Sequence, residues 1–192
     1  INLLNAKYFA GHSLGEYSAL ATSDSLDFRN AIKLLNQRGK AMQTAVPKGT
    51  GGMIAVLGID IDEISNLLKE NENNYKCYIA NDNSNGQTVL SGLNTDVDKL
   101  AIFLKEKKIK NIKLPVSAPF HCMLMNKATS IMTDKINNTN FEKPKNVIIS
   151  NVTGSETQEI DKIKDLLIKQ IESPVRWRES VIYMIKNGVT NF

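Results

Sequence analysis

The stretch AGHSLGEYSAL, residues 10–20, places a serine between two glycines directly after the short apolar run KYFA, residues 7–10. A G-x-S-x-G pattern between a strand and a helix is typical of a sharp turn that presents a serine hydroxyl above the end of the strand. We read both glycines as steric requirements of this turn. The amides at the start of the following helix point into the same space, and the helix dipole favours an anion there. The sequence therefore predicts a nucleophilic Ser13, with the Leu14 amide as a donor to an oxyanion.

Composition and charge exclude several classes of function. The chain has 192 residues, of which 42% are hydrophobic and 23% charged, as expected for a soluble globular protein. Its 24 basic and 20 acidic residues are interspersed, which argues against binding to nucleic acid. No apolar stretch reaches the ~18 residues of a membrane span, and the first residues lack the pattern of a signal peptide. We therefore expect a soluble intracellular protein that does not bind a membrane.

Cysteine and histidine are too few and too far apart for a metal site. The two cysteines, Cys77 and Cys122, have no C-x-x-C spacing, and the chain holds only two histidines. We predict neither a metal site nor a disulfide. Cys122 is chemically a rival nucleophile, but it begins an apolar segment and is better explained by core packing.

The order of predicted elements divides the chain into two units. Two helices, residues 14–23 and 25–46, follow the serine turn. Residues 51–117 then read as strand, helix, strand, strand, helix, strand, which is the order of a ferredoxin-like subdomain. The segments on either side, residues 1–50 and 118–192, form a larger α/β unit.

The last part of the chain returns to the larger unit. The predicted elements there are a helix, a strand with a turn, and a second helix, over residues 118–136, 145–154 and 161–171. A final helix begins at Pro174 with Ser173 as its cap and ends before Gly188. Residues 188–192 resemble the start of another strand. Since these pieces supply too few strands to enclose the serine turn, we interpret the chain as part of a longer protein.

A nucleophilic serine needs a base, and the candidates are His12 and His121. His12 is the immediate neighbour of Ser13, and adjacent side chains point in opposite directions, so we assign His12 a structural role. His121 follows Pro119 at an extended bend, where its ring can face a cleft. His121 is therefore the predicted general base.

Arg38 lies on the apolar side of the second predicted helix. The apolar positions of that helix are Phe28, Ala31, Leu35, Met42 and Ala45. Arg38 continues this stripe, and a guanidinium stays charged when buried, so it requires an anion nearby or an opening in the core. Two interpretations remain open: a structural ion pair with Asp or Glu, or two-point binding of a substrate carboxylate in a pocket.

Five motifs in this order closely resemble the malonyl-CoA:acyl-carrier-protein transacylases of bacterial-type fatty acid synthesis. They are GHSLGEYSAL (11–20), QRGKAMQTAVPKGTGGMIAVLG (37–58), NDNSNGQTVLSG (81–92), LPVSAPFHCMLM (114–125) and SPVRWRESVIYM (173–184). The resemblance covers almost the whole chain. It implies an α/β fold in which a larger domain, with a serine turn similar to that of α/β hydrolases, carries an inserted ferredoxin-like subdomain.

The resemblance implies a role for each matching residue. Ser13 takes the malonyl group from coenzyme A, and His121 serves as general base and acid. The Leu14 amide helps to hold the oxyanion, and Arg38 binds the malonyl carboxylate. The enzyme is then a malonyltransferase that passes the group from a malonyl-serine ester to the thiol of acyl carrier protein. It requires no metal and no cofactor beyond its donor substrate, malonyl-CoA.

The same resemblance marks further contacts. Phe120 corresponds to a bulky residue that limits the room at the malonyl α-carbon. Met42 lies one helical turn beyond Arg38, and two interpretations of it remain open: it lines the same pocket, or it simply packs in the core. Since acyl carrier proteins are acidic, basic side chains near the cleft are candidates for docking. These candidates are Lys105, Lys107, Lys108, Lys110, Lys113, Arg176 and Arg178. We expect a monomer in the cytoplasm or in an organelle of bacterial descent.

Two segments of the family have no counterpart in this chain. One is a glycine-rich segment whose glutamine contributes to the oxyanion hole, and the other is a C-terminal segment whose backbone carbonyl orients the histidine. Three alternatives remain open: a serine hydrolase or thioesterase, an acyltransferase domain of a polyketide or fatty acid synthase, and a silent domain that binds acyl carrier protein. A hydrolase gives Arg38 no role, whereas a silent domain needs neither Ser13 nor His121.

Overall fold

The computed structural model describes residues 6–192, so residues 1–5 of the predicted larger unit lie outside the described part of the chain. Within that part, seven strands and seven α-helices form an α/β fold with two sheets. In chain order they are β1 (Tyr8–Ala10), α1 (Gly15–Thr22), α2 (Phe28–Thr44), β2 (Gly51–Leu57), α3 (Ile61–Glu70), β3 (Cys77–Ser84), β4 (Gln87–Leu93), α4 (Asn94–Glu106), β5 (Lys110–Lys113), α5 (Asn126–Asn137), β6 (Val147–Ile149), β7 (Glu156–Thr157), α6 (Ile160–Gln170) and α7 (Trp177–Lys186).

The middle of the chain forms a four-stranded sheet in the order β3-β4-β2-β5, with all neighbours antiparallel. Side chains alternate across β2, so Ile54 and Val56 pack with α3 and α4, whereas Met53 and Ala55 belong to the opposite side. That opposite side contacts Phe120. The elements of this region occur in the predicted order, and the sheet buries apolar side chains on both faces.

The second sheet has three strands in the order β1-β6-β7. Strands β1 and β6 are parallel, with Ala10 opposite Ile149, and β7 is antiparallel to β6. Helices α1, α2, α5 and α6 share one apolar core with this sheet. Because neighbouring parallel strands end at the same edge, the serine turn after β1 lies beside the turn after β6, which includes Asn151.

The two sheets are joined through β3, an edge strand of the four-stranded sheet. Val175 pairs with β3: its amide donates to the Ala80 carbonyl at 2.9 Å, and its carbonyl accepts from the Asp82 amide at 2.9 Å. The buried Asp82 carboxylate accepts hydrogen bonds from Arg178 of α7, at 2.9 Å from Nε and 2.8 Å from Nη2. These contacts hold the four-stranded sheet beside the serine turn.

The start of the last helix differs from the prediction. Helix α7 begins at Trp177, later than predicted, because Val175 is extended alongside β3, and Ser173 therefore caps no helix. The end is as predicted, since Gly188 follows the helix with a φ of 87°. The strand predicted over residues 188–192 is wrong, because none of the described strands pairs with this segment.

The helix predicted over residues 118–136 also begins later. Helix α5 begins at Asn126, after a 3-10 turn at Met123–Met125. His121 prevents an earlier start, since its φ of 58° lies in the left-handed region, which a right-handed helix excludes. This backbone conformation places the imidazole between the two sheets rather than on a helix surface.

Candidate active site

Glycine is required on only one side of the serine turn. Ser13 itself has a φ of 54°, a strained conformation for a residue other than glycine. A side chain at Gly11 would overlap the backbone carbonyl of Gly15, so β1 and α1 can approach this closely only with glycine there. A side chain at Gly15 would meet no atom within 4 Å. The predicted steric requirement is confirmed for Gly11 and wrong for Gly15, because α1 directs that position into open space.

The substitution Gly11→Ala is expected to destabilise the protein, whereas Gly15→Ala is expected to be tolerated. Since the clash at Gly11 is with backbone atoms, we expect a loss of about 1–3 kcal/mol in the free energy of unfolding. Alanine favours the helical conformation, so Gly15→Ala should equal or slightly exceed the natural protein in stability. Chemical denaturation of the two variants measures the difference, and equal stabilities would contradict the steric argument.

Ser13, His121 and Gln170 form a hydrogen-bonded row. Ser13 Oγ lies 2.7 Å from His121 Nε2, and His121 Nδ1 lies 2.8 Å from the carbonyl oxygen of Gln170. A carbonyl only accepts, so Nδ1 carries the proton and Nε2 is free to accept the proton of the serine. This is the arrangement of a nucleophile, its base and the group that orients the base.

His121 is buried, with 4% of its surface exposed. Burial, together with the nearby Arg38 cation, lowers the pKa of His121 to about 4. The imidazole is therefore neutral at neutral pH, which is the form that takes a proton from a hydroxyl.

His12 is engaged away from the serine hydroxyl. Its Nε2 lies 3.0 Å from Asn83 Oδ1 on β3, and its ring centroid lies 5.6 Å from that of Trp177 on α7. These contacts connect the serine turn to the junction between the sheets. They support the structural role assigned to His12.

Arg38 is buried beside the serine, with 6% of its surface exposed. Its Nη2 donates to Ser13 Oγ at 3.0 Å and to Gln170 Oε1 at 2.9 Å, and its guanidinium carbon lies 5.9 Å from the centre of the Tyr17 ring. Its Nε is buried without a hydrogen-bond partner, and none of the salt bridges among residues 6–192 includes Arg38. A direct ion pair of Arg38 is thus absent from these residues, and its Nε remains without a hydrogen-bond partner among them.

The buried side of α2 is rotated slightly from the predicted stripe. Its buried positions are Ala31, Leu34, Arg38, Ala41 and Met42. Phe28, at the start of the helix, is 71% exposed, and the stripe passes through Leu34 rather than Leu35. Arg38 remains in the centre of the buried side, as the sequence predicted.

Sequence analysis missed Gln170, which contacts each of the three groups above. Its carbonyl accepts from His121, its Oε1 accepts from Arg38, and its Nε2 donates to the Ser13 carbonyl at 3.1 Å. The expectation that the histidine-orienting carbonyl is missing from this chain is therefore wrong. A signal was present, because Gln170 is a polar residue at helical spacing on the apolar side of α6. The other buried members of that side are Ile163, Leu166 and Leu167.

Two further buried residues support the serine turn, Asn151 and Glu16. Asn151 Oδ1 accepts from the Ser13 amide at 2.6 Å, and Asn151 Nδ2 donates to the Gly11 carbonyl at 2.9 Å. Glu16 Oε2 accepts from the backbone amide of Asn151 at 3.1 Å and from the side-chain nitrogen of Gln170, Nε2, at 2.7 Å. Burial raises the pKa of Glu16 to about 7, although these hydrogen bonds act in the opposite direction.

A single cavity of about 450 Å³ brings the predicted site residues together. All six of them line it: Ser13, Leu14, Arg38, Met42, Phe120 and His121. Its remaining walls are His12, Gly39, Gln43, Met53, Asn81 and Leu114. Leu14 precedes α1, and among the described residues its amide donates to no protein atom, so this N–H is available to an oxyanion.

Both cysteines are buried free thiols. Cys122 Sγ donates to the Pro119 carbonyl at 3.1 Å, and burial raises the pKa of Cys122. Burial also raises the pKa of Cys77, to about 12. Protonated thiols are poor nucleophiles, which supports core packing for Cys122, whereas Ser13 lines the cavity.

Three of the seven basic docking candidates already have acidic partners in this chain. The pairs are Lys113 with Asp98, Arg176 with Glu179, and Arg178 with Asp82. Arg178 binds the buried Asp82 carboxylate at the junction between the sheets, so we no longer consider it a docking residue. The other four candidates are exposed at the end of α4 and the start of β5: Lys105, Lys107, Lys108 and Lys110.

Nowhere in residues 6–192 do three or more His, Cys, Asp or Glu side chains group so as to hold a metal ion. No helix in this part of the chain has the length and apolar character needed to cross a membrane.

Comparison with known proteins places this chain in a family. The family model of the acyl transferase domain matches residues 4–191. The chain belongs to the acyl transferase domain family. Within it, the chain is similar to the malonyl CoA-acyl carrier protein transacylase of Haemophilus influenzae, with 41% identity over 187 residues, 97% of this chain and 60% of that protein. The chain thus spans about 60% of the length of the curated relatives it matches.

Solved acyl transferase structures share the α/β fold. An acyl-carrier-protein S-malonyltransferase from Bartonella henselae aligns with a TM-score of 0.93 at 37% identity, over 98% of this chain and 61% of that chain. A malonyl-transacylase in complex with its type II PKS acyl-carrier protein aligns with a TM-score of 0.91 at 37% identity, over 95% of this chain and 60% of that chain. The α/β fold of the described residues is thus common to this chain and these transferases.

Proposed function

We propose that the protein transfers a malonyl group from coenzyme A to the thiol of acyl carrier protein, through an ester on Ser13. One observation carries the proposal: a buried arginine without an acidic partner lies within hydrogen-bond distance of a serine that also contacts a neutral histidine. The arginine suits an acyl group that ends in a carboxylate. The serine and the histidine together suit nucleophilic attack on that acyl group. The names of the relatives in Haemophilus influenzae and Bartonella henselae support the same donor group and acceptor.

The reaction has two halves that use the same base. In the first, Ser13 Oγ attacks the thioester carbonyl of malonyl-CoA while His121 Nε2 takes the serine proton. The Leu14 amide, at the positive end of α1, stabilises the oxyanion. When the carbon–sulfur bond breaks, His121 returns the proton to the coenzyme A thiolate, and malonyl-Ser13 remains. In the second half, the carrier thiol gives its proton to His121 and attacks the ester, and the proton returns to Ser13.

Arg38 provides the selectivity for malonyl in this proposal. Arg38 lines the cavity, and its guanidinium is a planar fork of donors that matches a carboxylate. An acetyl group would leave the buried charge unpaired and is therefore disfavoured. Phe120 and Met42, in the same cavity wall, restrict the space at the α-carbon.

The proposal includes the partner and the domain organisation. A solved complex of a related transacylase with acyl-carrier protein supports this class of acceptor. The proposed docking residues for this acidic partner are Lys105, Lys107, Lys108 and Lys110.

The antiparallel order β3-β4-β2-β5 supports a ferredoxin-like subdomain over residues 51–117, inserted into an α/β-hydrolase-like domain formed by residues 1–50 and 118–192. We propose a monomeric cytoplasmic enzyme that needs no metal or cofactor.

Intact-mass spectrometry of the protein at its full natural length tests the proposed function. Brief exposure to malonyl-CoA should add one malonyl group to the natural protein and none to the Ser13→Ala variant. The adduct should disappear when holo acyl carrier protein is added and persist in buffer alone, and acetyl-CoA should compete poorly. Absence of the adduct would contradict the transferase, whereas an adduct lost equally fast in buffer would indicate a hydrolase.

A further inference from the structure

Glu16 is a buried carboxylate to which the proposed mechanism gives no task. It lies in the first turn of α1 with 2% of its surface exposed, and it does not line the cavity. None of the salt bridges among the described residues includes it. A carboxylate in such a place is unfavourable unless its hydrogen bonds are specific, so the partners of Glu16 indicate why it is there.

Two hydrogen bonds that Glu16 accepts come from residues that hold the reacting groups. The Gln170 amide donates to Glu16 at 2.7 Å, and Gln170 in turn accepts from Arg38 and from His121. The Asn151 backbone donates to Glu16 at 3.1 Å, and the Asn151 side chain accepts from the Ser13 amide. Glu16 is thus one hydrogen-bonded residue away from the nucleophile, the base and the arginine.

Ionised Glu16 reinforces the orientation that Arg38 imposes on the Gln170 side chain. Arg38 only donates, so Gln170 Oε1 must face Arg38 and Nε2 must face Glu16. A carboxylate only accepts, and therefore enforces the same orientation from the opposite end. A protonated Glu16 carries a donor and accepts more weakly, so it no longer enforces this arrangement.

We propose that Glu16 is a positioning residue of the transferase reaction, and that its ionised form holds Gln170 against Arg38 and His121. This inference rests on the proposed function. A buried network of this kind transmits a change at one member to the alignment of the others, because its hydrogen bonds depend on one another.

The charges around Glu16 place its ionisation in the working range of pH. Burial raises the pKa of Glu16 to about 7, and Arg38 on α2 favours the ionised form. On α1 the neighbouring Tyr17 has its pKa raised to about 12 by burial and stays neutral. Gln170 of α6 and Asn151 of the turn after β6 also contact Glu16, and both are uncharged. The remaining nearby titratable group, His121, is also neutral above pH 6.

The pH dependence of Ser13 acylation tests this inference. Single-turnover acylation of the full-length natural protein by malonyl-CoA should fall about tenfold between pH 8 and pH 6, in step with the ionised fraction of a group of pKa about 7. Glu16→Gln imitates the protonated form, which contributes little to a rate that follows the ionised fraction, so at pH 8 it should react well over tenfold more slowly and show no further fall at pH 6. The matched control Glu106→Gln, exposed at the end of α4, should keep the natural profile.

Each alternative outcome is informative. A Glu16→Gln variant with the natural pH profile would overturn the inference, because a structural role changes stability without removing a titration from the rate. If that variant does not fold, the natural protein provides the test. Protonation of Glu16 should misalign Arg38, so the preference of the natural protein for malonyl-CoA over acetyl-CoA should be lower at pH 6 than at pH 8. A constant preference would overturn the inference while a malonyl adduct still supports the transferase. Absence of any adduct would overturn both.

Discussion

The variant Arg38→Ala is expected to lose about a hundredfold of the preference for malonyl-CoA over acetyl-CoA. Arg38 is buried, lines the cavity and makes no salt bridge among the described residues, so its guanidinium can pair with the malonyl carboxylate. A hydrogen bond to a buried charge contributes up to about 3 kcal/mol, which corresponds to about a hundredfold in a ratio of rates. The measurement is the ratio of kcat/KM for the two donors, because loss of the contact between Arg38 and Ser13 affects both donors alike.

Two further variants control this prediction. Arg29→Ala removes an exposed arginine from the same helix, α2, and should leave the ratio unchanged. Arg38→Lys keeps the charge but loses the planar fork, so it should restore only part of the preference. An Arg38→Ala enzyme with the natural ratio would show that selectivity resides elsewhere in the cavity.

The titrations of Glu16 and His121 are expected to cancel in their effect on stability between pH 4.5 and 6.5. Burial raises the pKa of Glu16 from 4.5 to about 7 and lowers the pKa of His121 from 6.5 to about 4. In this window the folded protein holds a proton on Glu16 and none on His121, whereas the unfolded chain holds a proton on His121 and none on Glu16. Both states bind the same number of protons, so this pair gives the free energy of unfolding no slope with pH.

Replacing either Glu16 or His121 should reveal the pH dependence that the other group gives to the free energy of unfolding. In Glu16→Gln only His121 remains, and its lowered pKa makes the free energy of unfolding rise by about 3 kcal/mol between pH 4 and pH 6.5. In His121→Asn only Glu16 remains, and its raised pKa makes the free energy of unfolding fall by about 3 kcal/mol between pH 4.5 and pH 7. Urea denaturation across this range, compared with the natural protein, measures both slopes. Three parallel curves would rule out the opposed shifts.

Much of the site was predictable from local sequence patterns. The turn around Ser13 follows from a glycine that must contact backbone atoms between a strand and a helix. Arg38 is conspicuous because it is a charged residue in an apolar helical stripe, and such a residue must be partnered or functional. Gln170 satisfies the same criterion on α6 and could have been found in the same way. The resemblance to acyl transferases then supplied roles for the residues that matched its motifs.

Other features depend on contacts between distant parts of the chain. Ser13 and Asn151 are 138 residues apart, and Glu16 and Gln170 are 154 residues apart, yet each pair is hydrogen bonded. The protonated nitrogen of His121, the late start of α7 beside β3, and the open space at Gly15 are likewise set by neighbours from other segments.

Local sequence alone determined the order of elements over residues 51–117, the serine turn and the buried position of Arg38, because helix and strand periodicity reports which side of a segment is apolar. Only the tertiary structure decided which buried polar groups face one another. Hydrogen bonds require atoms within about 3 Å, and periodicity within a segment carries no information about the segment packed against it. Glu16 became a candidate for a role in the reaction through the contacts its carboxylate makes, not through its place in the motif.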